Sequence, residues 1–561
     1  MNYSQATEPK RSSRDQNKAN EWFSFSWRKL SLLCLLLLTF GCASHQSGPS
    51  TNSGEQPTRV EQTAPELPLQ IDQNLDTTLD QLLKSSEFAR GRWGVSVISL
   101  KDGKLIFDHN GGQLFTPASN MKVYTTAVAL DLLGADYRWR TSVYSQKDPE
   151  ADGTVQGDLV LYGRGAPDLV ASNRGENTNS LEELVKALKA RGIKHIKGNV
   201  IGDESYFRGD LIGQGWLWND LQWYFGAEAS ALTINTNSFD VSVTSSANTN
   251  EPPKVTTNDF DGYAQLTNNI STVPRGEQLQ LGVQRGVSDN NVVVWGQYPL
   301  GARGYGASLA VHRPALWAAT IFHRLLRTNG IVVDGVAQSR DSRVAEKSRF
   351  DPSTNRELAF ITGKSLGEIV KVTNKQSVNL YAELLLRTLG RERTPMLPET
   401  TQIGRELGDD EQGVRLIMLW LTRQSINSTG LTIHDGSGLS RLNLITPRVT
   451  SQLLAAIARS NSAAVFTESL PIAATDGTLG GRLQRAKGKV RAKTGALTYI
   501  NALSGYLTTS EGQTYAFSII CNDNTTSSSA IRLIDQLVLT LDNYLDKGSA
   551  DKKSIPSNAK H

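Results

Sequence analysis

The sequence predicts an α+β fold, in which helices flank an antiparallel sheet and a large β-rich insert interrupts the chain. Two observations lead to this prediction. Strand patterns lie near both ends of the chain, at residues 92–110 with a hairpin turn at Asp102-Gly103, and as three successive runs at residues 488–523. Between about residues 137 and 304, many short β-rich runs are separated by Gly and Asn. Helices and antiparallel strands therefore share one domain, and the middle of the chain forms the insert.

Helical patterns account for much of the remaining domain. The helix after Ser119 carries apolar residues at helical spacing. The other predicted helices cover residues 79–88, 312–330, 366–390 and 528–545.

The composition limits the classes of function. Apolar residues make up 39% of the 561 residues, which is ample for a core, and 59 basic side chains nearly balance 55 acidic ones. The net charge of +4 is not gathered into a basic stripe, so no nucleic-acid partner is predicted. Three cysteines, Cys34, Cys42 and Cys521, exclude a disulfide framework and a cysteine-rich metal site. No His-Glu-x-x-His motif occurs either, so neither a metal nor a cofactor is predicted.

The N-terminus is typical of an exported protein. A polar segment with six basic residues precedes the apolar run LSLLCLLLLTF, which is too short to span a bilayer but suits an export signal. The GCAS that follows resembles a bacterial lipoprotein box, although Thr39 and Phe40 depart from its usual pattern. We expect a periplasmic protein that is anchored to a membrane by lipidation of Cys42.

The composition also suggests where the chain divides. A Ser-, Gln-, Thr- and Pro-rich stretch after the export signal is typical of a flexible tether. The predicted organisation is an export signal at 1–41, a tether at 42–75, the first part of the catalytic domain at 76–136, the inserted β-rich domain or domains at 137–304, the second part of the catalytic domain at 305–545 and a disordered tail at 546–561.

A serine and a lysine three residues apart, Ser119 and Lys122, are the first candidates for chemistry. The spacing alone means little, because it recurs at residues 26–29 and 549–552. A serine at this place also suits an ordinary helix N-cap.

Two further motifs change that interpretation. Ser377-Val378-Asn379 lies in a helix-rich segment, and Lys493-Thr494-Gly495 lies on a predicted strand. Taken singly, Ser377 and Asn379 are compatible with polar turn residues, and Lys493 is compatible with a surface charge on an edge strand. Random placement seldom gives all three motifs in this order, which is the order of the set found in penicillin-binding proteins and related β-lactamases.

The residue types suit nucleophilic catalysis. A serine hydroxyl needs a nearby base, and Lys122 shares a helix face with Ser119. A lysine acts as a base near neutral pH only if its pKa is lowered, which burial and a second cation, Lys493, would both achieve. Lys493 would also hold a substrate carboxylate, with a hydrogen bond from Thr494. The backbone N–H of Ser119 is placed to stabilise an oxyanion.

Longer stretches extend this resemblance. The chain is similar to the low-molecular-mass class C penicillin-binding proteins, the D-Ala-D-Ala carboxypeptidase/endopeptidase family (peptidase family S13). The supporting stretches are GRGAPDL (163–169), GWLWND (215–220), VTNKQSVNLYAE (372–383), HDGSGLSRLNLITP (434–447) and DGTLGGR (476–482). The similarity covers about residues 76–545 and includes the long gap between Ser119 and Ser377.

The resemblance implies a fold, a function and a set of residue roles. The fold is a penicillin-binding, β-lactamase-like serine transpeptidase domain, and the function is DD-peptidase activity on peptidoglycan stem peptides, with β-lactams as covalent inhibitors. The implied catalytic residues are Ser119, Lys122, Ser377, Asn379 and Lys493. The implied substrate-binding residues are Thr494, Gly495, Asp220, Phe225 and Arg441. Val378 replaces the aspartate often found inside its motif, which should leave the outer residues of the motif working. Thr498 stands where a longer polar residue is expected, so side-chain specificity stays open.

Two other interpretations compete with this one. Residues 363–367 match the G-x-S-x-G elbow of an α/β-hydrolase with Ser365 as nucleophile, but only His434 and His561 follow it, and His561 lies in the tail. A catalytically slow scaffold that binds peptidoglycan is the other alternative, against which the three intact motifs argue.

Overall fold

The structure is a computed structural model that describes residues 73–84, 90–171, 179–258, 262–397 and 408–553. These residues belong to one compact unit, residues 64–561. The predicted export signal, Cys42 and nearly all of the tether lie outside the described residues. Within the described ranges, no helix has the length and apolarity that crossing a membrane requires.

The described residues form ten α-helices and nineteen strands. The helices are α1 (Gln73–Lys84), α2 (Met121–Leu133), α3 (Ser180–Ala190), α4 (Pro314–Thr328), α5 (Leu366–Gln376), α6 (Asn379–Arg393), α7 (Asp409–Arg423), α8 (Pro447–Ile457), α9 (Ala463–Ser469) and α10 (Ser527–Lys553). The first strands are β1 (Arg92–Ser99), β2 (Leu105–His109), β3 (Arg138–Ser145), β4 (Thr154–Val155), β5 (Leu159–Tyr162), β6 (His195–Ile196), β7 (Val200–Asp203), β8 (Ser238–Thr244), β9 (Lys254–Thr257) and β10 (Gln265–Val273). The others are β11 (Gln280–Arg285), β12 (Asn291–Pro299), β13 (Tyr305–Ala310), β14 (Val332–Val333), β15 (Ala337–Arg340), β16 (Arg356–Ser365), β17 (Val490–Leu497), β18 (Ile500–Thr508) and β19 (Thr514–Asn522).

Strands from both ends of the chain meet in a five-stranded antiparallel sheet of order β17-β18-β19-β1-β2. Side chains alternate across it: Phe517 and Ile519 of β19 join the core with α1 and α10, whereas Ala516 and Ile520 join the core with α8. Helices therefore cover both faces of an antiparallel sheet, and the predicted α+β class is confirmed. Cys521 is buried in the first of these cores, as its apolar run indicates.

Helix α2, which carries the first motif, lies in the centre of the domain. It packs against α5, α6 and α8, and every residue from Met121 to Leu130 is buried. A helix surrounded in this way gives its residues little freedom to move, so it is a rigid support for Lys122.

The middle of the chain builds further sheets. A second five-stranded sheet has the order β15-β7-β5-β3-β16, and the three-stranded sheets have the orders β10-β12-β11, β13-β8-β9 and β14-β6-β4. Four of these strands, β13 to β16, come after residue 304 but pair with strands that precede it, namely β8, β6, β7 and β3 in that order. The predicted limit of the insert at residue 304 stays a prediction, and the segment also contains α3, which the β-rich pattern did not predict.

The predicted tail is wrong for residues 546–553, because α10 continues to Lys553. Lys489 lies 3.0 Å from Asp542 and 2.8 Å from Asp546, and the backbone N–H of Ser510 donates to Asp546. These contacts hold the helix against the sheet beyond the last apolar residue of its pattern. Residues 554–561 lie outside the described residues.

Candidate active site

Ser119 and Lys122 come together at the start of α2. Ser119 lies in a short 3-10 helix, Ala118–Asn120, and the Lys122 Nζ atom is 3.0 Å from the Ser119 Oγ atom. Ala118 has a φ of 48°, a left-handed conformation that is strained for a residue with a side chain. The neighbouring loop supports this turn so closely that a Cβ atom on Gly438 would lie 1.8 Å from the carbonyl oxygen of Ala118.

Two carbonyl oxygens fix the amine of Lys122. Its Nζ atom lies 2.7 Å from Asn379 Oδ1 and 2.7 Å from the backbone oxygen of Ser437. A neutral amine has two N–H donors and one lone pair. If both donors serve the two carbonyl oxygens, the lone pair faces the hydroxyl of Ser119 and accepts its proton. The geometry is therefore that of a base and a nucleophile.

Burial makes this chemistry feasible near neutral pH. The Lys122 side chain has no exposed surface, and the loss of solvation lowers its pKa to about 7. The negative charges of Asp435 and Glu383 act in the opposite direction.

The second and third motifs meet beside this pair. Ser377, in the left-handed conformation with a φ of 60°, lies between α5 and α6, and the Lys493 Nζ atom is 2.9 Å from its Oγ atom. Lys493 is buried on β17, and burial lowers its pKa well below the usual value, with a further contribution from the charge of Lys122. The side chain of Asn120 donates to the backbone oxygen of Lys493 over 3.0 Å and so ties the first motif to the third.

The rest of the third motif runs past the nucleophile. Thr494 donates to Thr478 through its hydroxyl over 2.7 Å. A Cβ atom on Gly495 would lie 2.8 Å from the carbonyl oxygen of Pro117, so only glycine lets the strand pass this close to the turn that holds Ser119.

Three of the substrate-binding residues that the resemblance implies, Asp220, Phe225 and Arg441, differ in how directly they contact this centre. Phe225 reaches it through its backbone, since Asn379 donates from Nδ2 to the Phe225 oxygen over 2.9 Å. Asp220 is half-buried, and burial raises its pKa while the charge of Arg441 opposes the shift. Arg441 donates to the backbone oxygen of Thr498 over 3.3 Å. Asp220 and Arg441 therefore lie near each other, but no contact joins either side chain to Ser119 or Lys122 among the described residues.

Ser365, the nucleophile of the alternative interpretation, is the N-cap of α5. Its backbone N–H donates to the Glu368 carboxylate over 2.9 Å, and Glu368 in turn donates its backbone N–H to the Ser365 hydroxyl over 3.4 Å. These reciprocal contacts are those of a helix capping box. His434, which the hydrolase interpretation would need, contacts Gln214 instead.

Sequence reasoning missed two buried carboxylates that lie beneath Lys122. Glu383 on α6 and Asp435 in the loop before α8 are both fully buried. Glu383 follows Asn379 by four residues and so shares its helix face, a spacing that could have identified it. Asp435 stands in HDGSGLSR, where the local pattern gives no sign of burial.

Comparison with known proteins places this chain in context. The model of the D-Ala-D-Ala carboxypeptidase 3 (S13) family matches residues 75–544. A D-alanyl-D-alanine carboxypeptidase of Actinomadura sp. (strain R39) is 31% identical over 486 residues, which cover 83% of this chain and 84% of the relative. The D-alanyl-D-alanine carboxypeptidase DacB of Haemophilus influenzae is 29% identical over 433 residues, 76% of this chain and 85% of the relative. The crystal structure of penicillin binding protein 4 (dacB) from H. influenzae superposes with a TM-score of 0.70 at 27% identity, covering 84% of this chain and 99% of that one.

Proposed function

The chain belongs to the D-Ala-D-Ala carboxypeptidase 3 (S13) family, and from this premise we propose that it cleaves peptidoglycan peptides through an acyl-enzyme on Ser119. It is a serine DD-peptidase, acting on D-Ala-D-Ala stem termini, on D-Ala-diamino-acid cross-links, or on both. The observation that carries the proposal is the buried amine of Lys122, 3.0 Å from Ser119 Oγ.

The reaction follows from these positions. Ser119 Oγ bonds to the carbonyl carbon of the penultimate D-Ala while its proton passes to Lys122. The bond from that carbon to the leaving amine then breaks, and the amine takes the proton that Lys122 accepted, relayed through the hydroxyl of Ser377. Water next adds to the acyl carbon and gives a proton to Lys122. The bond to Ser119 Oγ breaks as Lys122 returns that proton to the oxygen, which releases the shortened peptide. Backbone N–H groups at Ser119 and on β17 stabilise the oxyanion, and such donors are worth roughly 3–4 kcal/mol each.

The binding roles that we propose follow from the resemblance to the family. Lys493 and Thr494 hold the terminal carboxylate of a stem peptide, and Gly495 lets that strand run beside it. Asn379 holds the substrate amide. Asp220, Phe225 and Arg441 contact the side chain of the diamino acid.

β-Lactams acylate the same serine in this proposal. A relative of known structure, penicillin binding protein 4 from H. influenzae, was crystallised in complex with a β-lactam, and it superposes on this chain with a TM-score of 0.64 at 26% identity, covering 84% of this chain and 99% of that one. A labelled penicillin should therefore add its mass to the peptide that contains Ser119, and Ser119→Ala should remove that adduct. A label on Ser365, or none on the wild type, contradicts the assignment.

Defined muropeptides separate the possible activities. Release of D-Ala from a stem pentapeptide indicates carboxypeptidase activity, and conversion of a cross-linked dimer to monomers indicates endopeptidase activity. Ser119→Ala should do neither. A wild-type protein that binds muropeptides and leaves both substrates unchanged would be a scaffold instead.

We also propose that the protein is exported to the periplasm and anchored through a lipid on Cys42. The apolar run and the GCAS sequence support this. Mass analysis of the mature N-terminus tests it: a lipid-modified Cys42 is expected, and an unmodified terminus beyond residue 42 contradicts the anchor.

A further inference from the structure

One face of α6 carries a row of polar side chains that begins beside Lys122. Asn379, Glu383 and Arg387 follow each other at intervals of four residues and therefore lie in a row along the helix. Asn379 contacts the Lys122 amine directly. Glu383 and Arg387 are each about 1% exposed, so the row continues into the core.

The Glu383 carboxylate accepts three hydrogen bonds from its neighbours. Its Oε1 atom accepts the backbone N–H of Gly436 over 3.1 Å and that of Ser437 over 2.9 Å. Its Oε2 atom accepts from Arg387 over 3.2 Å. Arg387 in turn donates to the backbone oxygen of Asp210 and lies 3.5 Å from Asp410 of α7.

The loop that Glu383 holds is the one that holds Lys122. The backbone oxygen of Ser437, whose N–H is bonded to Glu383, accepts from Lys122. On the other side of the loop, Asp435 accepts the backbone N–H groups of Gly438 and Ser440. Two buried carboxylates therefore fix the carbonyl that positions the amine.

We propose that Glu383 is a positioning residue of the acylation reaction: it fixes the Ser437 carbonyl that orients the Lys122 amine, and its negative charge sets the charge state of that amine. This inference rests on the proposed function, because it assumes that Lys122 is the base for Ser119.

Energetics favour a functional reason for this arrangement. Replacing a buried ion pair by apolar residues of similar volume is often neutral or stabilising, so the Glu383–Arg387 pair is not explained by stability alone. Burial raises the pKa of Glu383 to about 7, the charge of Asp435 acts in the same direction, and that of Arg387 opposes it. Glu383 and Lys122 therefore titrate in the same range and influence each other.

Charged side chains from α6, from the loop before α8 and from β17 surround Lys122 and Glu383. Lys122 faces Glu383 of α6, Asp435 of the loop and Lys493 of β17. Glu383 also faces Arg387. Removing the negative charge of Glu383 makes protonated Lys122 less stable, so the amine becomes a free base at lower pH.

The test is the pH dependence of acylation by labelled penicillin, measured on the full chain from pH 5 to 9. For Glu383→Gln, the acidic limb of the rate profile should move to lower pH by a fraction of a pH unit, because wild-type Glu383 itself binds a proton near pH 7. Glu383→Asp keeps the charge and should leave the limb near its wild-type position, with a lower rate because the shorter side chain no longer reaches the loop. Glu392→Gln is the matched control on the same helix, since Glu392 contacts Tyr137 and Tyr206 rather than the loop, and its limb should not move.

The outcomes separate this inference from the proposed function. A limb that stays in place in Glu383→Gln, whether or not the rate falls, overturns the inference and leaves the proposed function intact. A wild type that penicillin does not acylate overturns both. In Glu383→Gln, the amide NH2 group can face the Arg387 guanidinium, and two facing donors would destabilise the protein. If this variant is unstable, the double variant Glu383→Gln/Arg387→Gln again pairs a donor with an acceptor. The same downward shift of the acidic limb is expected for it.

Discussion

Replacing Lys122 by methionine should reveal how much stability the protein gives up to keep a base in its core. The pKa of a free lysine is about 10.4, and burial lowers that of Lys122 to about 7. Between these two values the unfolded chain binds a proton that the folded protein does not. The free energy of unfolding of the wild type therefore rises with pH across this window, and below pH 7 the penalty is fully present.

The size of the effect follows from the two pKa values. Between pH 6 and pH 9 the proton-linked penalty falls by about 2.6 kcal/mol, since each pKa unit corresponds to 1.36 kcal/mol. Methionine has a similar length and no proton to bind. It also leaves Asn379 and the Ser437 carbonyl without their partner, at a cost of roughly 1 kcal/mol each that does not depend on pH.

Urea unfolding of both full-length proteins at pH 6, 7, 8 and 9 measures this difference. From the Lys122 proton itself, the wild type should gain about 2.6 kcal/mol on Lys122→Met over that range. A difference that stays constant from pH 6 to 9 would mean that the folded protein keeps Lys122 charged. That result would refute the argument that burial makes it a base.

Three further substitutions probe the site and the end of the fold. Gly438→Ala should abolish labelling by penicillin without unfolding the protein, because the new Cβ would lie 1.8 Å from the Ala118 oxygen at a φ of +84°; circular dichroism serves as the control. Asn379→Asp places a negative charge beside the Lys122 amine and raises its pKa, so the acidic limb of acylation should move to higher pH, and an unmoved limb would contradict the contact. Asp546→Ala should lower the free energy of unfolding by about 1 kcal/mol in a urea titration, and no loss would show that these contacts do not hold α10.

Much of the domain was predictable because its signals are local. The hairpin at residues 92–110 and the three strands at 488–523 have strong alternation and recognisable turns, and they form the central sheet. The segment 366–390 was predicted as helical, and the chain does form α5 and α6 there, interrupted at Ser377. That interruption is a left-handed residue whose position depends on Lys493, 116 residues away, and helical periodicity cannot reveal it.

What sequence reasoning missed depends on contacts between distant parts of the chain. Residues 546–553 have a polar composition that suits a tail, yet contacts with Lys489 and Ser510 hold the start of this stretch in α10. The G-x-S-x-G pattern at 363–367 looks like a nucleophile elbow until the structure shows a capping box. In each case the local pattern was compatible with two structures, and long-range partners chose between them.

The residues around Lys122 violate several rules that the rest of the core obeys. Lys122, Lys493, Glu383 and Arg387 are charged groups with almost no exposure, and Ala118 adopts a conformation that favours glycine. Departures from the usual burial of apolar residues and from unstrained backbone conformations are expected mainly at functional sites. A lysine can accept a proton from serine near neutral pH only if it is desolvated, and a desolvated lysine stays in place only if fixed acceptors hold it. The carboxylates, the loop and the strained turn therefore all serve the proposed role of Lys122, because together they keep one amine buried, oriented and able to lose its proton near neutral pH beside Ser119.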